Sequence, residues 1–401
     1  IYCKAKSVIV CWAMGLTQHK NGVANIQEVV NLLLLRGNIG KPGAGACPVR
    51  GHSNVQGDRT MGIVERPKEE FLQRLEAAMG FLAPREHGVD TVAAIEAMSE
   101  GSGKVFFAMG GNFVAATPDT AFTEAALQQC ELTVQVSTKL NRSHLITGKT
   151  AIILPCLGRS ETDVQTQGPQ FVSCENSMGI VTRSEGKREP ASTFLMSEPA
   201  IVAGVAQHTL GENSPVQWRH LTEDYNRIRT LIEAVVPGFD NYNERILDPS
   251  GFVLPNGARE RNWNTKTGKA AFTVHPIPNI PLATGQYLMA TVRSHDQYNT
   301  TIYGLDDRYR GIYGERRVIM MNPEDIADAG FTEGQVVDLT SHFEDGERHA
   351  PRFIIVRQDI PRRCVFTYFP EANPLIPVGS VARLSNTPTS KSIVISMRPA
   401  Q

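Results

Sequence analysis

The sequence has no C-x-x-C pair, so neither a zinc site nor an iron–sulfur site can be read from spacing, although seven cysteines are scattered along it. An odd, dispersed set in a large chain fits reduced thiols in a cytoplasmic compartment. Neither sign of charge is in excess: 40 Lys and Arg stand against 41 Asp and Glu, a net charge of −1. This lacks the basic surplus that nucleic-acid binding requires, so no nucleic-acid partner is expected. The longest apolar run near the N-terminus, "VIVCWAMGL", is too short to span a bilayer, and no small-residue cleavage site follows it. Neither G-x-G-x-x-G nor G-x-x-x-x-G-K-[ST] occurs, which disfavours a plain nicotinamide dehydrogenase and a P-loop enzyme. Without H-E-x-x-H, G-x-S-x-G or a paired-carboxylate signature, hydrolase readings have little support.

What is present is a chain of 401 residues, 41% hydrophobic, enough for two or three domains with ample cores. It opens at Ile1 inside an expected strand, so a preceding N-terminal part is expected. "SVIVCWAMGL" reads as a buried strand and "NIQEVVNLLLLRG" as a helix stopped by Gly37. "EEFLQRLEAAMG" and "DTVAAIEAMSEG" read as amphipathic helices. "KVFFAMGGN", "LTVQVSTK" and "AIILP" read as strands, with "TPDTAFTEAALQQC" a helix that has Pro118 in its first turn. Near-continuous apolar strands alternating with helices indicate parallel β–α–β units. From Val202 to Ile280 the pattern loosens around one helix, "YNRIRTLIEAVV". Beyond Gly285, six short strands and one short helix, "NPEDIADAG", predict a β-barrel-like domain.

Three polar turns follow strands of the α/β part: "GLTQHKNG", "GGNFVAATPD" and "STKLNRSH". Ligands in parallel sheets sit beyond such strand ends, where glycine lets the backbone approach and small side chains donate. Between Gly37 and Gly62, seven glycines and two prolines fall within 26 residues. Read as extended chain, "VRGHSNVQ" sets Arg50, His52, Asn54 and Gln56 on one face, where they converge on a polar ligand. Arg50 offers a planar donor fork for an anion. In the C-terminal part, "TVRSHDQYNTTIYG" and "TYFPEANPLIP" follow strands in the same way. A metal reading of His295 and Asp296 is weak, because neighbours on extended chain point apart.

The stretch "GNIGKPGAGACPVRGHSNVQGDRTMG" closely resembles a segment of the molybdopterin oxidoreductases of the DMSO reductase superfamily, most of all the formate dehydrogenase-like alpha subunits. The runs "STKLNRSH", "GPQFVS", "FFAMGGN" and "AIILPCLGRSETD" extend the resemblance over nearly the whole chain. It implies an α/β fold of parallel-sheet, Rossmann-like cofactor domains followed by a six-stranded, double-psi type β-barrel. Expected units are residues 1–50 (remnant of a molybdopterin-binding domain), 51–204 (second α/β, guanosine-binding), 205–284 (irregular connection) and 285–401 (barrel).

The implied cofactor is a bis-molybdopterin guanine dinucleotide with molybdenum or tungsten. A [4Fe–4S] cluster, and the metal ligand itself, are expected in the preceding N-terminal part, with no metal ligand in this chain. By position, Arg50 would orient an anionic substrate such as formate, and His52, where formate dehydrogenases commonly carry Gln, would alter substrate geometry. Gln18, Asn54, Gln56 and Gly57 would line pterin and pyrophosphate. Gly110, Gly111, Asn112, Ser137, Thr138 and Lys139 would hold a guanosine. Arg293, His295, Gln297, Tyr298, Asn299, Tyr368, Asn373, Asn386 and Lys391 would contact the cofactor from the barrel. An acidic residue that often holds guanine in the family is absent near Val136, leaving Ser137 or Thr138 to substitute. The resemblance further implies a two-electron oxidoreductase, an electron-accepting protein or subunit as partner, and no membrane segment. The fragment alone is expected to be inactive. The alternative is a paralogue or subunit that binds the cofactor without competent chemistry.

Overall fold

The computed structural model describes residues 1–49 and 54–400. The N-terminal unit pairs β1 (Ile9–Trp12) in parallel with β2 (Gly45–Pro48), joined through the helices α1 (Met14–Thr17) and α2 (Gly22–Leu35). β1 was expected to be buried, but Ile9 is 55% exposed, because β2 is its one strand neighbour among the described residues.

After α3 (Val55–Thr60), α4 (Glu69–Met79) and α5 (Thr91–Ser99), a second parallel sheet forms. It consists of β3 (Val105–Met109), β4 (Leu132–Ser137) and β5 (Thr150–Pro155), with α6 (Phe113–Ala116) and α7 (Thr120–Gln128) between β3 and β4. Central β4 is buried almost throughout although its residues LTVQVS alternate, whereas β5, the more continuous apolar run, lies at an open edge and stays exposed. Asp90 caps α5 by accepting from the Ala93 amide at 3.0 Å. Pro118 lies outside α7 rather than in its first turn: Asp119, in the left-handed region at φ 47°, is the cap, and the helix starts at Thr120.

The short strands β6 (Asp163–Gln165), β7 (Gly168–Gln170), β8 (Val172–Glu175) and β9 (Ile180–Ser184) are antiparallel, and β10 (Phe252–Val253) joins β9. The loose region carries not one helix but four: α8 (Glu198–Leu210), α9 (Trp218–Glu223), α10 (Tyr225–Val235) and α11 (Tyr242–Arg245). α10, α11, β9 and β10 pack with α4 around Phe239, Tyr242, Ile246 and Phe252, and the three aromatic rings among these meet edge to face.

The last unit is built from β11 (Gln286–Val292), β12 (Val318–Met321), α12 (Pro323–Asp328), β13 (Val336–Phe343), β14 (Gly346–Arg357), β15 (Cys364–Tyr368) and β16 (Ile393–Pro399). The six strands close into a barrel in the order β11-β15-β12-β14-β13-β16, as expected. Alternate residues of β11 point inward, and Met289, Ile319, Val337, Leu339, Ile355 and Ile395 meet in the interior fully buried. Closure leaves no free edge, so the barrel's backbone groups are satisfied within the barrel itself.

The barrel is stapled to both parallel units. Asn373 donates to the carbonyls of Ala115 and Thr117 (2.8 and 3.2 Å), and Arg348 donates to Asp119 at 2.6 Å. On the other side Lys391 N donates to the Gln18 carbonyl, Arg383 N to the Lys20 carbonyl, and His19 bonds Ser392 at 2.7 Å.

Candidate functional site

Two expected turns fall where parallel-sheet geometry places ligands. After β1, α1 ends at Gln18, and the link from Lys391 N to its carbonyl (3.1 Å) brings the loop before β16 against it. Beside that contact the barrel supplies two cations. The Lys391 ammonium donates to Thr291 Oγ1 at 3.0 Å, and Arg293 follows β11 with its guanidinium over the Phe369 ring. Burial, and after it the neighbouring Arg293, lower the Lys391 pKa to about 8. Burial likewise lowers Arg293, against a smaller opposing effect of Tyr298. Among the described residues no carboxylate forms an ion pair with either side chain, so two adjacent cations are left uncompensated.

The second turn follows β3 and β4. Gly110 and Gly111 take φ of 70° and 80°, and a Cβ added at either would meet nothing within 4 Å. Glycine is there for the left-handed backbone, and the space beside it is open. Gly110 N donates to the Val136 carbonyl at 2.7 Å, holding this turn to the end of β4, where Ser137 is buried and Thr138 and Lys139 are exposed. Asn112 Oδ1 accepts from Ser143 Oγ at 2.7 Å, and the Gly111 carbonyl accepts from Asn141. Next to them His144 Nε2 is buried without a hydrogen-bond partner. Open glycine backbone beside an orphaned polar atom fits a nucleotide base, and the two cations without a carboxylate partner at the barrel mouth fit a pyrophosphate.

Other expected residues are engaged by the protein. Tyr368 is 1% exposed and donates its hydroxyl to Asp307 at 2.7 Å. His295 bonds the same carboxylate at 3.2 Å and lies tilted over Tyr309, remaining half open to solvent. Hydrogen bonds from Tyr368 and Arg310, which together outweigh burial, hold Asp307 below the usual carboxylate range. Gln297 accepts from Ser294 N and Arg316 and donates to the Asn299 and Phe369 carbonyls. Tyr298 is exposed, with its amide donating to Ile302, and Asn299 sits at φ 44°. Asn373 serves the seam described above, and Asn386 donates to Asp90 at 2.8 Å.

The expectation for "VRGHSNVQ" needs correction. Asn54 takes φ 67° and starts α3, so Gln56 lies in a helical turn and does not alternate with Asn54 along extended chain. Asn54 Oδ1 accepts from Glu175 N at 3.0 Å, and a Cβ at Gly57 would come within 1.9 Å of that same oxygen. Gly57 is therefore glycine because Asn54 packs on it. Arg50 and His52 lie outside the described residues.

Sequence reasoning missed Arg316 and Asp307. Arg316 is 3% exposed and gathers Glu371, Ser294, Gln297 and the Phe369 carbonyl, organising the loops over the barrel mouth. A doubled Arg preceding the strand "VIMM" was the available signal. The two cavities of about 600 Å³ lie elsewhere, beside α4 and against α8. Among the described residues no three metal-ligating side chains cluster. No described helix is long and apolar enough to cross a membrane.

Comparisons with known proteins place the chain in a family. A family model described as "Molybdopterin oxidoreductase" matches residues 2–154, and one described as "Molydopterin dinucleotide binding domain" matches 287–394. An uncharacterized oxidoreductase of Mycobacterium tuberculosis is 53% identical over 98% of this chain and 52% of its own length. Protein YdeP of Escherichia coli is 47% identical over the whole chain and 53% of its own length. The chain thus spans about half the length of these curated relatives. A putative formate dehydrogenase of Staphylococcus aureus is 31% identical over 33% of this chain and 14% of its own. Acetylene hydratase from Pelobacter acetylenicus shares the fold, with a TM-score of 0.59 at 13% identity over 95% of this chain and 59% of that one. The chain belongs to the molybdopterin oxidoreductases of the DMSO reductase superfamily.

Proposed function

We propose that this chain is the C-terminal, cofactor-enclosing part of an oxidoreductase that uses a bis-molybdopterin guanine dinucleotide with molybdenum or tungsten and acts on a small anion such as formate. The observation that carries the reading is the uncompensated pair Arg293 and Lys391 at the barrel mouth, against the turn that bears Gln18. Two half-buried like charges are costly together and are stabilised by an anion between them, as a pyrophosphate supplies. When bound, the cofactor supplies two-electron redox chemistry, and the chain supplies binding, orientation and electrostatics.

In this reading Gly110 to Asn112 and Ser137 to Lys139 hold a guanosine, with backbone at Gly110 and Gly111 open to approach and His144 Nε2 ready to bond. Asn54, Gln56 and Gly57 belong to the pterin side. Arg50 grips the substrate carboxylate through two parallel hydrogen bonds, and His52 adjusts which anion fits. The barrel is of the double-psi type. A [4Fe–4S] cluster in the remainder of the protein, an electron-accepting partner and a cytoplasmic location complete the proposal. Support for formate comes from the relative named as a putative formate dehydrogenase.

Elemental analysis of the purified complete protein for molybdenum and tungsten, with release of the pterin nucleotide, tests the reading. One metal and two guanine nucleotides per chain are expected; a folded sample with neither refutes it. In that protein Arg50→Lys is expected to raise KM for formate and lower kcat, about 10-fold or more in kcat/KM, with metal content unchanged. An unaltered kcat/KM removes Arg50 from the site.

A further inference from the structure

Cys11 and Cys47 face each other across the parallel pair β1–β2 as direct register partners. Neighbouring strands run about 4.8 Å apart, inside the roughly 4.4–6.8 Å between Cα atoms that a disulfide spans. Both lie on one face of the two-stranded pair, because register partners project the same way. The two thiols already interact: burial raises Cys47, and a hydrogen bond with Cys11 adds to the rise. Both cysteines are free, with Cys11 exposed and Cys47 half-buried. No other two cysteines share a strand register among the described residues. Cys130 and Cys156 are buried singly, and Cys174 accepts from Arg159.

We propose that Cys11 and Cys47 form a reversible disulfide that locks β1 to β2. The oxidant is a low-molecular-weight disulfide such as oxidised glutathione. The exposed Cys11 thiolate attacks one sulfur of that disulfide, breaking its S–S bond and releasing one small thiol. The Cys47 thiolate then displaces the second small thiol from the mixed disulfide, forming the Cys11–Cys47 bond. Two protons leave the protein thiols and end on the two released thiols, so the protein loses two electrons and the small disulfide gains them. The crosslink ties down the strand that leads, through Ala13 and α1, to Gln18, whose carbonyl holds Lys391. Redox state would thereby set how firmly that turn is held against the barrel. The proposal rests on the strand register and not on the identity of the cofactor.

The test uses the complete protein equilibrated with reduced and oxidised glutathione over a series of ratios. Thiols are trapped with N-ethylmaleimide, and the protein is digested without reductant for peptide mapping. The expected result is a linked Cys11–Cys47 peptide pair, two hydrogens lighter than the separate peptides, which rises with the oxidised fraction and disappears with dithiothreitol. Two titratable thiols are lost from the wild type, whereas Cys47→Ser stops at a glutathione adduct on Cys11. The wild-type map decides by itself if that variant fails to fold. Full alkylation of both cysteines at the most oxidising ratio overturns the proposal. So does a persistent adduct on wild-type Cys11, or linkage of either residue to a different cysteine.

Discussion

At Lys391 an ammonium is held half-buried with Arg293 as its charged neighbour, and its pKa falls from 10.5 to about 8. The unfolded chain keeps the ordinary value, so between about 8 and 10.5 it binds more protons than the folded chain. Stability of the cofactor-free protein therefore rises as pH climbs through that window, and below it the full cost of the buried charge is present. Lys391→Met is expected to flatten this rise and to stabilise the cofactor-free protein near neutral pH by about 1–2 kcal/mol, after discounting for partial exposure. Urea denaturation of wild type and variant at about pH 7 and pH 9.5 checks it; parallel curves for the two proteins refute it. The same variant should retain less nucleotide, since the cost that is relieved is the one an anion offsets. Lys391 was legible in the sequence only through resemblance. A lysine between Ser390 and Ser392 shows no sign by itself of being buried beside Arg293, almost a hundred positions away.

At the scale of elements, the glycines separate into two kinds that look alike in the sequence. Gly57 lies in α3 with Asn54 Oδ1 where its Cβ would be, and Gly110 ends β3 in open space at φ 70°. Gly57→Ala is expected to push Asn54 off the Glu175 amide and cost about 1–3 kcal/mol. Gly110→Ala pays only for the left-handed backbone, about 1–2 kcal/mol, and should lower bound guanine nucleotide as the added methyl enters the open space. Thermal melts with nucleotide quantitation distinguish them, and equal nucleotide content in wild type and Gly110→Ala would show that ligand does not approach there. The barrel strands were readable because alternation follows directly from burial on one face, whereas in the parallel sheet position decided burial: central β4 is buried although it alternates, and the apolar β5 is an exposed edge. Asn54 to Gln56 forms a helical turn where extended chain was expected, because polar residues near glycine fit either conformation equally well. Asn54, at φ 67°, chose the turn by gaining the Glu175 amide, a partner 121 positions away.

For the whole molecule, the seam between the barrel and the parallel units is what brings the candidate site together. Asn373 and Arg348 close it on one side, and Lys391, Arg383 and His19 on the other. Asn373→Ala leaves the Ala115 and Thr117 carbonyls unpaired, with an expected cost of about 1–3 kcal/mol. Hydrogen exchange should quicken around residues 113–120 while the barrel core, β12 above all, keeps its protection; uniform protection across the seam refutes this. Local periodicity and the positions that require glycine are enough to set the alternation of strands and helices, the six barrel strands and the turns at strand ends. The meeting of Gln18 with Lys391, the engagement of Gln297 by Arg316 and of Tyr368 by Asp307, and the pairing of Cys11 with Cys47 arise from long-range packing. Those pairings depend on closure of the barrel and on strand register, where the free energy comes from contacts between residues far apart in the chain, which no local pattern records.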